Sequence, residues 1–171
     1  KNKIYMSYNA QITRLNHVRK HPQADRLQLA TVQGCQIVVG AEASNGDLGI
    51  YFPTDGILSR VFCETNDLFR RVDETGKNVG GMFDIHSSGG GRVRTQKFRG
   101  EVSDGFWIPV SALYQFSKNP LSNAAFEAMA DAGYEFTSWE GVEICGKFVP
   151  AYTKTPGSPN PGKKSLRQRC K

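Results

Sequence analysis

The 171 residues are 39% hydrophobic and 22% charged, enough apolar material for one ordinary domain to bury a core without metals or crosslinks. The longest apolar runs, at 37–39 and 106–110, are far too short to cross a bilayer, and the opening KNKIYMSYNAQ lacks the apolar stretch of a signal peptide. The net charge of +6 is local: Lys154, Lys163, Lys164, Arg167, Arg169 and Lys171 lie in an acid-free stretch from 153 to 171, so the rest of the chain is neutral.

Residues 4–18 (IYMSYNAQITRLNHV) alternate loosely and are rich in Ile, Tyr and Val, which suits strands. HPQADRL at 21–27 reads as a turn built on Pro22 and Asp25. Residues 27–32 and 36–39 flank Gln33-Gly34 and predict a hairpin; Ser44-Asn45-Gly46-Asp47 is a further turn before a strand at 48–52 that Pro53 closes. Residues 60–91 are irregular, and an insertion or long loop with little secondary structure is expected there, ending in the glycine run Gly89–Gly91, which reads as a mobile loop. A strand at 92–98, a turn at 100–105 and a strand at 106–110 follow. Ser111 is the expected cap of a short helix at 112–116. Asn119-Pro120 starts a second, near 121–132, that Gly133 stops; Phe126 and Met129 share one of its faces. Residues 134–139 and 142–149 return to strand character around a turn at Glu140-Gly141, and after Tyr152 TPGSPNPG and the basic end have a linker's composition. Short strands separated by turn signals predict a mainly β domain over 1–152, a small closed barrel with one or two short helices, followed by a flexible basic tail at 153–171.

Several candidate sites dissolve on inspection. Cys35, Cys63, Cys145 and Cys170 have no metal-ligand spacing and read as reduced cytosolic thiols. His17, His21 and Asp25 fall at helical spacing for a metal, but Pro22 breaks the helix they would need. GSPNPGKKS at 157–165 approximates a phosphate loop, yet Lys164 stands where magnesium needs a hydroxyl and two prolines remove backbone donors. Tyr5, Tyr8, Tyr51, Phe62 and Phe69 are aromatics on which bases would stack, with the core as the competing destination.

The richest segment is RVRTQKFRGEVSDGFWIPV at 92–110, with cations at Arg92, Arg94, Lys97 and Arg99. An unbroken strand would put Arg92 and Arg94 on one face and Lys97 and Arg99 on the other. Such cations beside a groove hold phosphates, and on a solvent-facing edge they discourage strand-to-strand aggregation. Arg60, Arg70 and Arg71 are weaker candidates for the same role.

This segment, with IVVGAEASNGDLGIYFPTDGILS at 37–59, resembles the N-terminal OB-type domain of a family of ATP-dependent RNA ligases, which join a 3′-hydroxyl to a 5′-phosphate. The resemblance covers residues 10–115. It implies an OB barrel that binds RNA, at a nicked duplex or 3′-hydroxyl end, and presents it to the ligase's own nucleotidyltransferase domain, where ATP and Mg would be used. It also implies work in the cytoplasm, or in a host's cytoplasm for a viral protein. The family's nucleophile lies in Lys-x-[Asp/His]-Gly, and no lysine from Lys3 to Lys164 is followed by that pattern. The chain itself is therefore expected to carry no catalytic residue, metal or cofactor, and to be inactive alone. HPQADRLQLATV at 21–32 is also similar to tRNA-binding OB modules, which keeps a stand-alone tRNA- or single-strand-binding module open, beside a purely structural domain.

Overall fold

The computed structural model describes residues 7–150. Tyr5 and the basic stretch at 153–171, with its near phosphate loop, lie outside them.

The described residues begin their regular structure with β1 (Ala10–Arg14) and β2 (Asn16–Lys20), one strand bent at the buried Leu15. β3 (Leu27–Val32) and β4 (Cys35–Gly40) form the expected hairpin. Its turn residues Gln33 and Gly34 both have positive φ, 54° and 76°, the left-handed geometry that matches strand twist and favours glycine second. β5 (Leu48–Phe52) ends before Pro53. Residues 60–91, expected as irregular, are instead built around a folded unit. β6 (Gly56–Leu58) leads to α1 (Arg60–Thr65), capped by the Ser59 hydroxyl, which accepts from the Phe62 N–H. The hairpin β7 (Arg71–Val72) and β8 (Asn78–Gly80) follows, and β9 (Gly91–Val93) returns to pair with β6. The glycine run is not a free loop either: Gly91 lies in β9, and a Cβ on Gly90 would strike the Leu58 carbonyl.

The expected strand at 92–98 is two elements, because Val93 pairs with Gly56 whereas Thr95, two residues on, pairs with Asp104. β10 (Thr95–Phe98) and β11 (Glu101–Asp104) make a hairpin whose turn is Arg99-Gly100, with φ 54° and 89°; the turn expected at 100–105 is therefore mostly strand. Gly105 redirects the chain into β12 (Phe106–Pro109). A 3₁₀ helix, Val110–Phe116, follows without a side-chain cap, so Ser111 does not cap it. α2 (Asn123–Ala132) starts two residues later than the sequence suggests, because the Ser122 hydroxyl accepts from the Ala125 N–H; Gly133 ends it in the left-handed conformation. β13 (Glu135–Phe136), β14 (Ser138–Trp139), β15 (Val142–Glu143) and β16 (Cys145–Lys147) complete the described residues.

β12, β5, β1 and β13 form one sheet, and β2, β3 and β4 another. β1 runs into β2, and β11 into β12, so the two sheets bend into a barrel. The side chains of β11 and β4 close it: the Ser103 hydroxyl accepts from the Val38 N–H at 3.0 Å, and the Gln36 amide donates to the Val102 carbonyl at 3.0 Å. Period-two alternation then divides the apolar residues into two cores. Leu15, Ala30, Val32, Ile37, Val39, Tyr51 and Trp107 fill the barrel. Ala10, Ile12, Ile50 and Phe52 point the other way, out of the barrel. They pack against α1, the 3₁₀ helix, α2 and the small sheet of β16, β6 and β9.

Candidate nucleic-acid interface

The break in the strand at Arg94 shapes the basic surface. Arg92, still paired in β9 opposite Ile57, sends its guanidinium over the ring of Phe148, 4.1 Å from the centroid. Phe148 is held there by its N–H, which donates to the Asp55 carbonyl at 2.9 Å, and by the ring of His86, 5.1 Å away and edge-on. The Arg92 Nε is buried and, among the described residues, has no hydrogen-bond partner. A guanidinium stacked on a ring keeps its donor edges free for an anion or a base.

Two adjoining depressions share Arg70, Met82, Arg94 and Gln96. One also takes in Lys97, Asn78 and Phe98; the other takes in Arg92, Asp84 and His86. The fold therefore brings Arg70, Arg92, Arg94 and Lys97 together on one concave surface, with Asp84 opposing them. Arg70 is engaged by that carboxylate through two contacts of 3.2 Å, both exposed. Arg94 and Lys97 are exposed and, among the described residues, make no ion pair.

The other three expected cations lie elsewhere, so the two-faced arrangement does not hold. Arg99 sits in the hairpin turn, not on a strand face, with its nearest partner the Gln23 carbonyl at 3.5 Å. Arg60 pairs with Glu64 one helical turn on, and Arg71 pairs with Asp67. Both pairs are exposed and contribute little to stability.

Of the aromatics proposed as stacking platforms, Tyr51 and Phe62 are buried, and Tyr8 and Phe69 pack partly into the outer core. The Tyr8 hydroxyl donates to the Pro53 carbonyl and the Tyr51 hydroxyl to the Asp104 carbonyl; burial pushes both phenols well above their usual range. Sequence reasoning missed Gln96, Asn78, His86 and Phe148. Phe148 lies 56 positions after Arg92, and no local pattern connects them.

His21, weighed as a metal ligand, is a buried strut. Its Nδ1 accepts from the Gln23 N–H at 3.0 Å, which leaves Nε2 to donate to the Phe98 carbonyl at 2.8 Å. It ties the loop at 21–26 to the tip of the β10–β11 hairpin. Burial raises the Cys63 and Cys145 thiols to about 12, so neither is a thiolate near neutral pH. Among the described residues, no three His, Cys, Asp or Glu side chains are grouped to hold a metal ion, and no helix is long and apolar enough to cross a membrane.

The described residues form a small mainly β barrel whose β10–β11 hairpin carries a basic edge. The chain belongs to the OB-fold domain family, whose model matches residues 9–110. No curated protein matches the sequence. Among solved structures, a variant of Naegleria gruberi RNA ligase with ATP and Mn is similar at 20% identity and a TM-score of 0.56, over 90% of this chain and 38% of that one. The same ligase with PPi is similar at 18% identity and a TM-score of 0.50, over 88% of this chain and 38% of that one. The chain thus spans well under half the length of the ligase whose fold it shares.

Proposed function

We propose that this chain is the RNA-gripping module of an ATP-dependent RNA ligase. In this reading it holds a nicked duplex or a 3′-hydroxyl end while a nucleotidyltransferase domain, using ATP and Mg, makes the bond. The observation that carries the reading is the cluster of Arg70, Arg92, Arg94 and Lys97 on one concave face, of which, among the described residues, Arg70 alone is paired with a carboxylate. Unpaired cations on a concave edge attract phosphates by counterion release and orient a strand without reading its bases. The ordered segment similarity at 37–59 and 92–110, and the fold shared with part of the Naegleria ligase, support the choice of parent enzyme.

The test is a salt titration of binding with nicked duplex RNA, single-stranded RNA and tRNA, using the whole chain. The nicked duplex is expected to bind at least as well as the other two. Arg94→Ala combined with Lys97→Ala is expected to shallow the slope of log affinity against log salt by about 2, one per phosphate contact, with thermal unfolding unchanged. Equal, negligible binding of all three RNAs at low salt would leave only a structural domain. Marked preference for tRNA would favour a stand-alone tRNA-binding module. Labelled ATP is expected to leave no covalent AMP on the chain, and an adduct would overturn the division of labour.

A further inference from the structure

Beside the cationic depression lies a cavity of different character. It opens where β4 and β12 part, and its lining includes Leu27, Val38, Ala43, Met82, Phe98 and Trp107. The parting has a structural cause. Ser103 is the last residue of β11 to hold β4, through its hydroxyl; then Gly105, at φ 107°, turns the chain away to pair with β5. The gap is left between the two strands, walled by apolar side chains. Met82 and Phe98 belong to both this cavity and the depression that holds Arg94 and Lys97, so the two spaces adjoin.

The acids on the apolar side sort the parts of a nucleotide. Glu42 and Asp47 line the cavity and repel a phosphate; Arg94 and Lys97 next door attract one. Asp47 is occupied in part by the Ser44 N–H at 2.9 Å, whereas Glu42, folded over Gly40, makes no hydrogen bond or ion pair among the described residues. It is a free acceptor for the N–H edge of a base. At about 290 Å³ the cavity lies close to the lower end of the roughly 300–1,000 Å³ range of small-molecule pockets, room enough for a planar base.

We infer that this cleft seats the base of a single unpaired nucleotide, with the adjoining phosphate on Arg94 and Lys97. The inference rests on the RNA-binding reading above and adds to it that an unstacked nucleotide, and not only a duplex backbone, is recognised. Proteins read RNA most readily where a base is free to leave its stack, and the cost of extrusion is least for a nucleotide that is already unpaired.

The experiment uses the full chain and three short hairpin RNAs at one salt concentration: blunt-ended, with a one-nucleotide overhang, and with the same overhang made abasic. The overhang is placed on either end in separate arms. With the intact chain, the overhang hairpin is expected to bind about tenfold more tightly than the blunt one in at least one arm, and the abasic form to lose that gain. Ala43→Phe, which fills the cleft from a partly exposed turn position, is expected to abolish the difference and leave blunt-hairpin binding intact. Equal binding of all three RNAs in both arms would overturn the base seat and leave the cationic grip standing. No binding of any of them would remove both. Should Ala43→Phe fail to fold, the three-RNA comparison on the intact chain decides alone.

Discussion

The barrel and the structure wrapped around its outer face differ in how they are stabilised. Among the described residues the barrel interior is filled mainly by aliphatic side chains, with Tyr51 and Trp107 beside them, and these residues come mostly from neighbouring strands joined by tight turns. The outer core is aromatic. Phe52 faces Phe62 at 5.5 Å, Phe62 stacks on Phe116 at 6.0 Å, Phe83 meets Phe106 edge-on at 5.0 Å, and Phe126 stacks on Trp139 at 6.1 Å. These rings come from segments as far apart as β5 and β14. The region that carries the OB topology is thus not the one with most of the large buried side chains, and the segments added to the barrel help hold it together.

That contrast gives its largest prediction at Phe62. The ring is fully buried between Phe52 and Phe116, and Phe62→Ala removes both contacts and leaves a cavity. A loss of about 3–5 kcal/mol is expected in chemical denaturation, with one cooperative transition for barrel and outer core together. Two separated transitions would show that the barrel folds on its own and that the wrapping is ornamental. Gly49→Ala probes the barrel from within. A Cβ there would overlap the Trp107 ring, which lies across β5 because Gly49 has no side chain, and the overpacking should cost about 1–3 kcal/mol. An unchanged midpoint would mean that Trp107 can shift aside and that the barrel interior is loosely specified.

The same contrast explains what could be read from the sequence. The β3–β4 hairpin was legible because both its signals are local: alternating side chains and a Gln-Gly turn in left-handed geometry. The stop of α2 at Gly133 and the strand closed by Pro53 were legible for the same reason. Residues 60–91 were not, since their order comes from tertiary contacts. Phe62, Cys63 and Phe83 are buried by partners on β5, β9 and the 3₁₀ helix, and nothing within 60–91 announces those partners. The cations were found by counting charge in 92–99, but their grouping was not. Grouping depends on β9 leaving the β6 ladder at Val93, which is set by pairing with a strand far back in the chain, and on Arg99 occupying the turn of the β10–β11 hairpin rather than a strand face. Arg70 was singled out only as a bare charge. Its arrival beside Arg94 is a property of the fold.

A stability effect of similar size is expected at Trp107 itself. Its indole N–H donates to the Thr13 hydroxyl at 3.2 Å inside the barrel, and Thr13 is buried. Trp107→Phe keeps a ring in place but leaves that hydroxyl without its donor, at a cost of about 1–3 kcal/mol by thermal or chemical unfolding. Thr13→Val in the same background removes the orphaned group, and most of the loss should be recovered. Absence of recovery would assign the cost to the lost ring volume and not to the hydrogen bond.

The smallest effect on folding, and the one that separates surface from core, concerns the exposed arginines. Arg60 and Arg71 are each committed to a carboxylate four residues away, while Arg94 and Lys97 face solvent beside the shared depression. Removing Arg60 and Arg71 together should leave both the unfolding midpoint and the salt slope of RNA binding close to wild type. An ion pair already formed on the surface has little to release when a phosphate arrives, and these two do not line the depressions. Removing Arg94 and Lys97 should spare the midpoint equally and flatten the slope. The two double variants change net charge by the same amount, so a difference between them measures position rather than charge. Should both flatten the slope alike, the RNA is responding to the overall charge of the protein, and the concave face has no privileged place in binding.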